Sequence, residues 1–166
     1  MSTIISPWLI FLHVLSALTF FLAHGTSAAM AFKLRRERDI ARIRVMLDMS
    51  DSTIELMFLS FLGIGLTGVA LLFFRGTWNR GWVWVSIILM IFVFTWMVWM
   101  NERRYKRLRK LVGLPYRQGS REYPAEAPAS AEEIAAQLQK TNLVSLVIVG
   151  YGIPAFVLWL MVFQPL

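Results

Sequence analysis

No cysteine occurs in the 166 residues, which excludes disulfides, thiolate zinc sites, iron–sulfur clusters and cysteine nucleophiles. Charge is also missing from long stretches: Trp8 to Phe32, Leu56 to Phe74, Trp82 to Met100 and Leu143 to Phe163 contain no Asp, Glu, Lys or Arg. Those runs therefore hold no paired carboxylates, no Ser-His-Asp set and no lysine to complete a phosphate loop around Gly63, Gly65 and Gly68. Histidine is nearly absent too, with His13 and His24 the only two, both in the first run.

What is present is apolar surface. Hydrophobic residues make up 57% of the chain and charged residues 16%, a balance that leaves a water-soluble protein of this size with too little polar surface. Each run is close to the roughly 20 residues with which a helix crosses about 30 Å of hydrocarbon. The expected fold is all-α, an integral membrane four-helix bundle forming a single membrane domain over 1–166. Its spans are about 8–32, 56–74, 82–100 and 143–163, and its basic connections are 33–51 and 101–141. The first run lacks a basic amino end and is too long for a signal-peptide core, so it is expected to remain as a helix.

The basic residues predict an orientation. Lys33, Arg35, Arg36, Arg38, Arg42 and Arg44 follow the first run, and Arg103, Arg104, Lys106, Arg107, Arg109, Lys110, Arg117, Arg121 and Lys140 follow the third. Only Arg75 and Arg80 lie in the second connection. Lys and Arg in short loops are retained on the cytoplasmic side, so the first and third connections are expected inside and both termini outside. Trp8, Trp78, Trp82, Trp84 and Trp159 then fall at the outer interface and Trp96 and Trp99 at the inner one, where indole rings concentrate. A net charge of +7 also suits nucleic acid, but no binding motif accompanies it. The arginines are assigned to anionic lipid headgroups at the cytoplasmic face.

The connections carry local signals. Ile40, Ile43 and Leu47 share one face opposite arginines, as in a short amphipathic helix at headgroup level. Ser52 and Glu55 have capping-box spacing ahead of the second span, and Ser130 and Glu133 have it ahead of a helix containing Ile134 and Leu138, which is expected to lead into the fourth span. Asn101 to Val112 extends the third span and stops at Gly113 and Pro115, followed by a Pro-, Ala- and Ser-rich loop from Gly119 to Ala129. Gly150, Gly152 and Pro154 predict a kink in the fourth span.

The histidines hold the chemical interest. Eleven helical residues bring His24 back to within about 20° of His13 and about 16 Å along the axis. The shared face is mostly small: Ser16, Ala17, Ser27, Ala28 and Ala31, with Phe20. One expectation is packing, with each imidazole hydrogen-bonded to Ser60, Thr67, Thr95 or Tyr151 of a neighbouring helix. The other is ligation of b-type haem, either through a symmetric homodimer or with methionine partners, Met57 and Met97 for His24 and Met161 for His13. Copper is a variant, because thioethers select Cu(I).

The stretch WLIFLHVLSALTFFLAHGTSAAMAFKLRRERD resembles the first helix of small uncharacterised bacterial membrane proteins loosely similar to the copper-resistance protein D group. The resemblance covers about the first fifty residues. It implies the bacterial inner membrane and carries His13 across as a ligand position; Phe20 and Phe21 stand where that group commonly has paired glycines. Three functional readings follow: a non-enzymatic helical component of a membrane assembly, a haem or copper electron-transfer protein using His13 and His24, and a small transporter with the Gly-Pro break in its fourth span.

Overall fold

The computed structural model describes residues 2–119 and 121–165, with the side chains of 2–4 and 118 excepted. Four helices are long and apolar enough to cross a membrane, as the four charge-free runs require. We label them α1 (Ser2–Leu34), α2 (Ile40–Arg75), α3 (Gly81–Leu111) and α5 (Leu143–Phe163). A shorter helix, α4 (Ala131–Gln139), lies between α3 and α5. Helices suit hydrocarbon because each backbone donor finds its acceptor within the same segment. Long side chains on their outward faces stay exposed, among them Leu22, Leu59, Leu66, Ile88 and Val162.

The first connection is shorter than expected. Asp39 caps α2 by accepting from the Ala41 N–H at 2.9 Å, and α2 then runs unbroken for 36 residues. The face of Ile40, Ile43 and Leu47 is thus the first part of a spanning helix and not a separate amphipathic one. Ser52 correspondingly caps nothing: its hydroxyl donates back to the Met49 carbonyl at 2.8 Å. The capping-box spacing at Ser52 and Glu55 is incidental, because the helix is already under way. Ser130 does behave as a cap, its Oγ accepting from the Glu133 N–H. Its helix ends before the fourth span, and Asn142 recaps the chain by accepting from the Val144 and Ser145 N–H groups.

Two helices contain a π-turn, Asn101–Lys106 in α3 and Ile148–Gly152 in α5. The second coincides with the predicted kink: Pro154 has no N–H for the carbonyl four residues earlier, and a widened turn is one way to absorb that loss. α3 ends in a Schellman motif, in which Gly113 (φ +72°) donates to the Lys110 carbonyl and Leu114 to that of Arg109. Beyond it, part of the expected loop is a small antiparallel hairpin of β1 (Tyr116–Gln118) and β2 (Arg121–Tyr123), pairing Tyr116 with Tyr123.

A compact cap closes the basic end. Leu34 of α1, Ile43 and Leu47 of α2, Leu108 and Val112 of the α3 end, and Ile134 and Leu138 of α4 form one buried cluster. Two arginines pin it reciprocally. Arg44 of α2 donates from Nε to the Val112 carbonyl at 2.7 Å, where the α3 dipole favours a cation. Arg109 of α3 lies 2.9 Å from Asp48 of α2 and donates from Nε to the Pro115 carbonyl.

Ile43 is 1% exposed in this cluster, so Ile43→Ala is expected to cost roughly 2–5 kcal/mol in unfolding measured in detergent, whereas the exposed Val45→Ala costs under about 0.5 kcal/mol. In the α1–α2 connection, the Glu37 carboxylate accepts from the Asp39 and Arg38 N–H groups, which hold its carboxyl below the ordinary carboxylate range. That ordering is present above the unfolded pKa and is lost as pH falls through the folded one. Amide exchange at Arg38 and Asp39, corrected for intrinsic pH dependence, is expected to speed up on acidification in the native chain and to show no such step in Glu37→Gln; identical profiles would refute it.

Candidate functional site

The small face of α1 lies on α2. The two helices run antiparallel, and the contact is closest where neither side chain is large. A Cβ added at Gly63 would come within 2.6 Å of the Ser16 Oγ, and one at Gly68 within 3.3 Å of the His13 Cε1. Lipid tails are as apolar as leucine, so association here depends on close backbone approach and interhelical hydrogen bonds. Three such bonds cross the seam: His13 Nδ1 to Thr67 Oγ1 at 2.9 Å, and Ser27 Oγ to Ser50 Oγ at 3.2 Å and to Thr53 Oγ1 at 2.8 Å.

His13 therefore has the Thr67 partner that its place on the helix suggests. His24 is arranged differently. It is 5% exposed, lies parallel to the Phe20 ring at 5.8 Å between centroids, and meets the tilted Tyr151 ring at 5.0 Å. Its Nε2 is buried with no hydrogen-bond partner among the described residues. The nitrogen abuts Gly150 in the π-turn of α5, where any Cβ would overlap it. The imidazole thus fills a slot that the α5 glycine creates, and Tyr151 contributes its ring to the packing without a hydrogen bond to His24. A buried polar nitrogen without a partner is uncommon.

A cleft of about 80 Å³ opens beside His24, between the α1–α2 pair and α3. Its walls include Phe20, Phe58, Phe61 and Phe94, with Phe61 and Phe94 stacked at 4.7 Å. Met57 of α2 and Met97 of α3 line it together with His24, joined by Met100. His24, Met57 and Met97 thus border one cleft, with the His24 Nε2 turned to Gly150 of α5; Met161, half-buried on α5, does not line it. Ser27, Ser50, Asn101 and Tyr105 are among its few polar residues. Trp96 also lines it, turned inward, unlike the exposed Trp8, Trp84, Trp99 and Trp159.

Among the described residues no three His, Asp, Glu or Cys side chains come together as a metal set. Ligation here would rest on imidazole nitrogen and thioether sulfur, donors that suit haem iron and Cu(I). His24 faces α5 of its own chain, so this packing does not present its Nε2 to a symmetry-related copy. Sequence reasoning missed Gly150 as the residue that shapes the histidine slot. Its signal, a glycine near a proline inside an apolar span, is also the signal of a kink.

Gly63→Ala is expected to weaken the α1–α2 pair by roughly 1–3 kcal/mol, lowering the thermal midpoint in detergent. Gly65→Ala, with nothing within 4 Å of the added Cβ, is expected to be neutral or slightly stabilising. Equal effects of the two would show that the seam is not the close contact described.

No family model, curated protein or solved structure matches this chain.

Proposed function

We propose that this multi-pass membrane protein is a non-enzymatic helical component of an assembly in the bacterial cytoplasmic membrane, with both termini outside and its basic cap toward anionic lipid headgroups. The observation that supports it is the use of polar groups within the spans. Ser16, Ser27, Ser50, Thr53, His13 and Thr67 hold two helices together, while Ser60 and Ser86 donate to carbonyls of their own helices. Long apolar side chains on α1, α2, α3 and α5 face outward, toward lipid, a second copy or other spanning helices.

A second reading has its own support. His24, Met57 and Met97 share one cleft with aromatic walls, and His13 has its Nδ1 held by a hydroxyl, as imidazole ligands commonly do. Imidazole and thioether donors of this kind suit b-type haem, or copper, in electron transfer, and the His24 Nε2 would have to turn from Gly150 to take part. The resemblance of the first helix to the copper-resistance protein D group points the same way.

An absorption spectrum of the purified protein from cells supplied with haem and copper separates the two. The assembly reading expects a colourless, metal-free protein that keeps its helix content in His13→Ala and His24→Ala. A Soret band lost in either variant would replace it with the redox reading. For the orientation, a reporter fused after Leu166 is expected to be active outside the cytoplasm, and cytoplasmic activity would overturn it.

A further inference from the structure

We propose that the cleft beside His24 is a lipid site, holding one acyl chain of a membrane glycerophospholipid with its ester end toward the basic cap. The site depends only on the four helices spanning a bilayer, whichever side the termini face.

The cleft is long and thin. On α2 its lining runs from Ser50 to Phe61, a distance of about 16 Å at a rise of about 1.5 Å per residue. One water needs about 10–15 Å³ of such space, so about 80 Å³ takes roughly five to eight groups of that size. Spread over that length they stand in single file. That is the shape of a hydrocarbon chain, whereas a planar ring system would force the walls apart and a spanning helix, about 10 Å across, is far too thick.

The cleft also opens sideways. Phe58 of α2 and Val98 of α3 both line it and are 40% and 37% exposed. Its mouth therefore lies between two spanning helices and faces lipid tails. No Asp, Glu, Lys or Arg is among the lining residues, so a charged headgroup stays outside, in the interface.

Polarity along the cleft follows that of a leaflet. Phe20, Phe61 and Phe94 gather at the deep end, with the Phe61 ring against both others. Ser50, Asn101 and Tyr105 stand at the opposite end, where Tyr105 also packs on the buried cluster of the cap. The Asn101 amide and the Tyr105 hydroxyl are donors of the kind from which ester carbonyls accept. Both come from the π-turn of α3, and such turns recur at functional sites.

The test uses the full-length protein in vesicles of phosphatidylethanolamine and phosphatidylglycerol. One probe is phosphatidylethanolamine with a diazirine near the end of an acyl chain, and a second has it beside the ester; adducts formed on irradiation are mapped by mass spectrometry. The chain-end probe is expected to label Phe61 and Phe94 above Leu59 and Ile91, which lie at similar depth on exposed faces. The ester-side probe is expected to label Asn101 or Tyr105. In Val98→Trp, which fills the mouth, the Phe61 and Phe94 adducts are lost while those at Leu59 and Ile91 persist. Ile88→Trp, a similar enlargement at an exposed position outside the cleft, keeps both sets. Labelling that follows depth alone, with Phe61 and Phe94 marked no more than Leu59 and Ile91, would mean annular lipid only and overturn the proposal. Phe61 and Phe94 adducts that survive Val98→Trp would overturn it too, as would extraction of an isoprenoid quinone in place of phospholipid from the purified protein.

Discussion

The packing of α1 on α2 is the contact from which the rest of the membrane domain is built. In hydrocarbon, two helices gain nothing by hiding leucines from their surroundings, so what joins them is close approach and hydrogen bonding. Ser16 against Gly63 allows the approach. The His13–Thr67 bond and the Ser27 contacts to Ser50 and Thr53 hold the two parts of the seam. With α1 so oriented, Phe20 and His24 turn toward Phe61, Gly150 and Tyr151, and the cleft beside them follows.

The other two spans meet this pair less uniformly. Phe94 of α3 stacks on Phe61 of α2, while Met100 of α3 joins Ala28, Ala31 and Leu146 in a second buried cluster. Between those contacts the cleft remains. Both π-turns border this region: one carries Asn101 and Tyr105 to its wall, and the other presents Gly150 to His24. π-turns occur preferentially where an extra residue re-aims side chains at a site. At the basic end, the Arg44 and Arg109 contacts across α2 and α3 fix the cap on which the spans converge.

Much of the fold was legible because hydrocarbon imposes a simple rule. Four charge-free runs of spanning length become four helices, the Gly113 stop is real, and Ser130 caps α4. The failures have a common cause. Ser52 and Glu55 have the spacing of a capping box, yet a cap needs a free helix end, and Asp39 had already supplied the start of α2. Spacing records which groups could meet; where a helix begins depends on which competing start leaves fewer donors unpaired. Trp96, half-buried on α3, lines the cleft, a contact that depends on the facing helices and not on the α3 sequence.

Sequence by itself determined the number of spans, the clustering of basic residues at one end and the shared face of His13 and His24, because each depends on composition and helical period along one segment. Tertiary structure decided what the histidines do. Nothing along α1 distinguishes them, since both lie among small residues on the same stripe. The difference comes from other helices, Thr67 and Gly68 of α2 beneath one ring and Gly150 of α5 against the other. A hydrogen bond orients an imidazole, whereas a glycine slot encloses it, and which of these a histidine meets is set by how the helices cross.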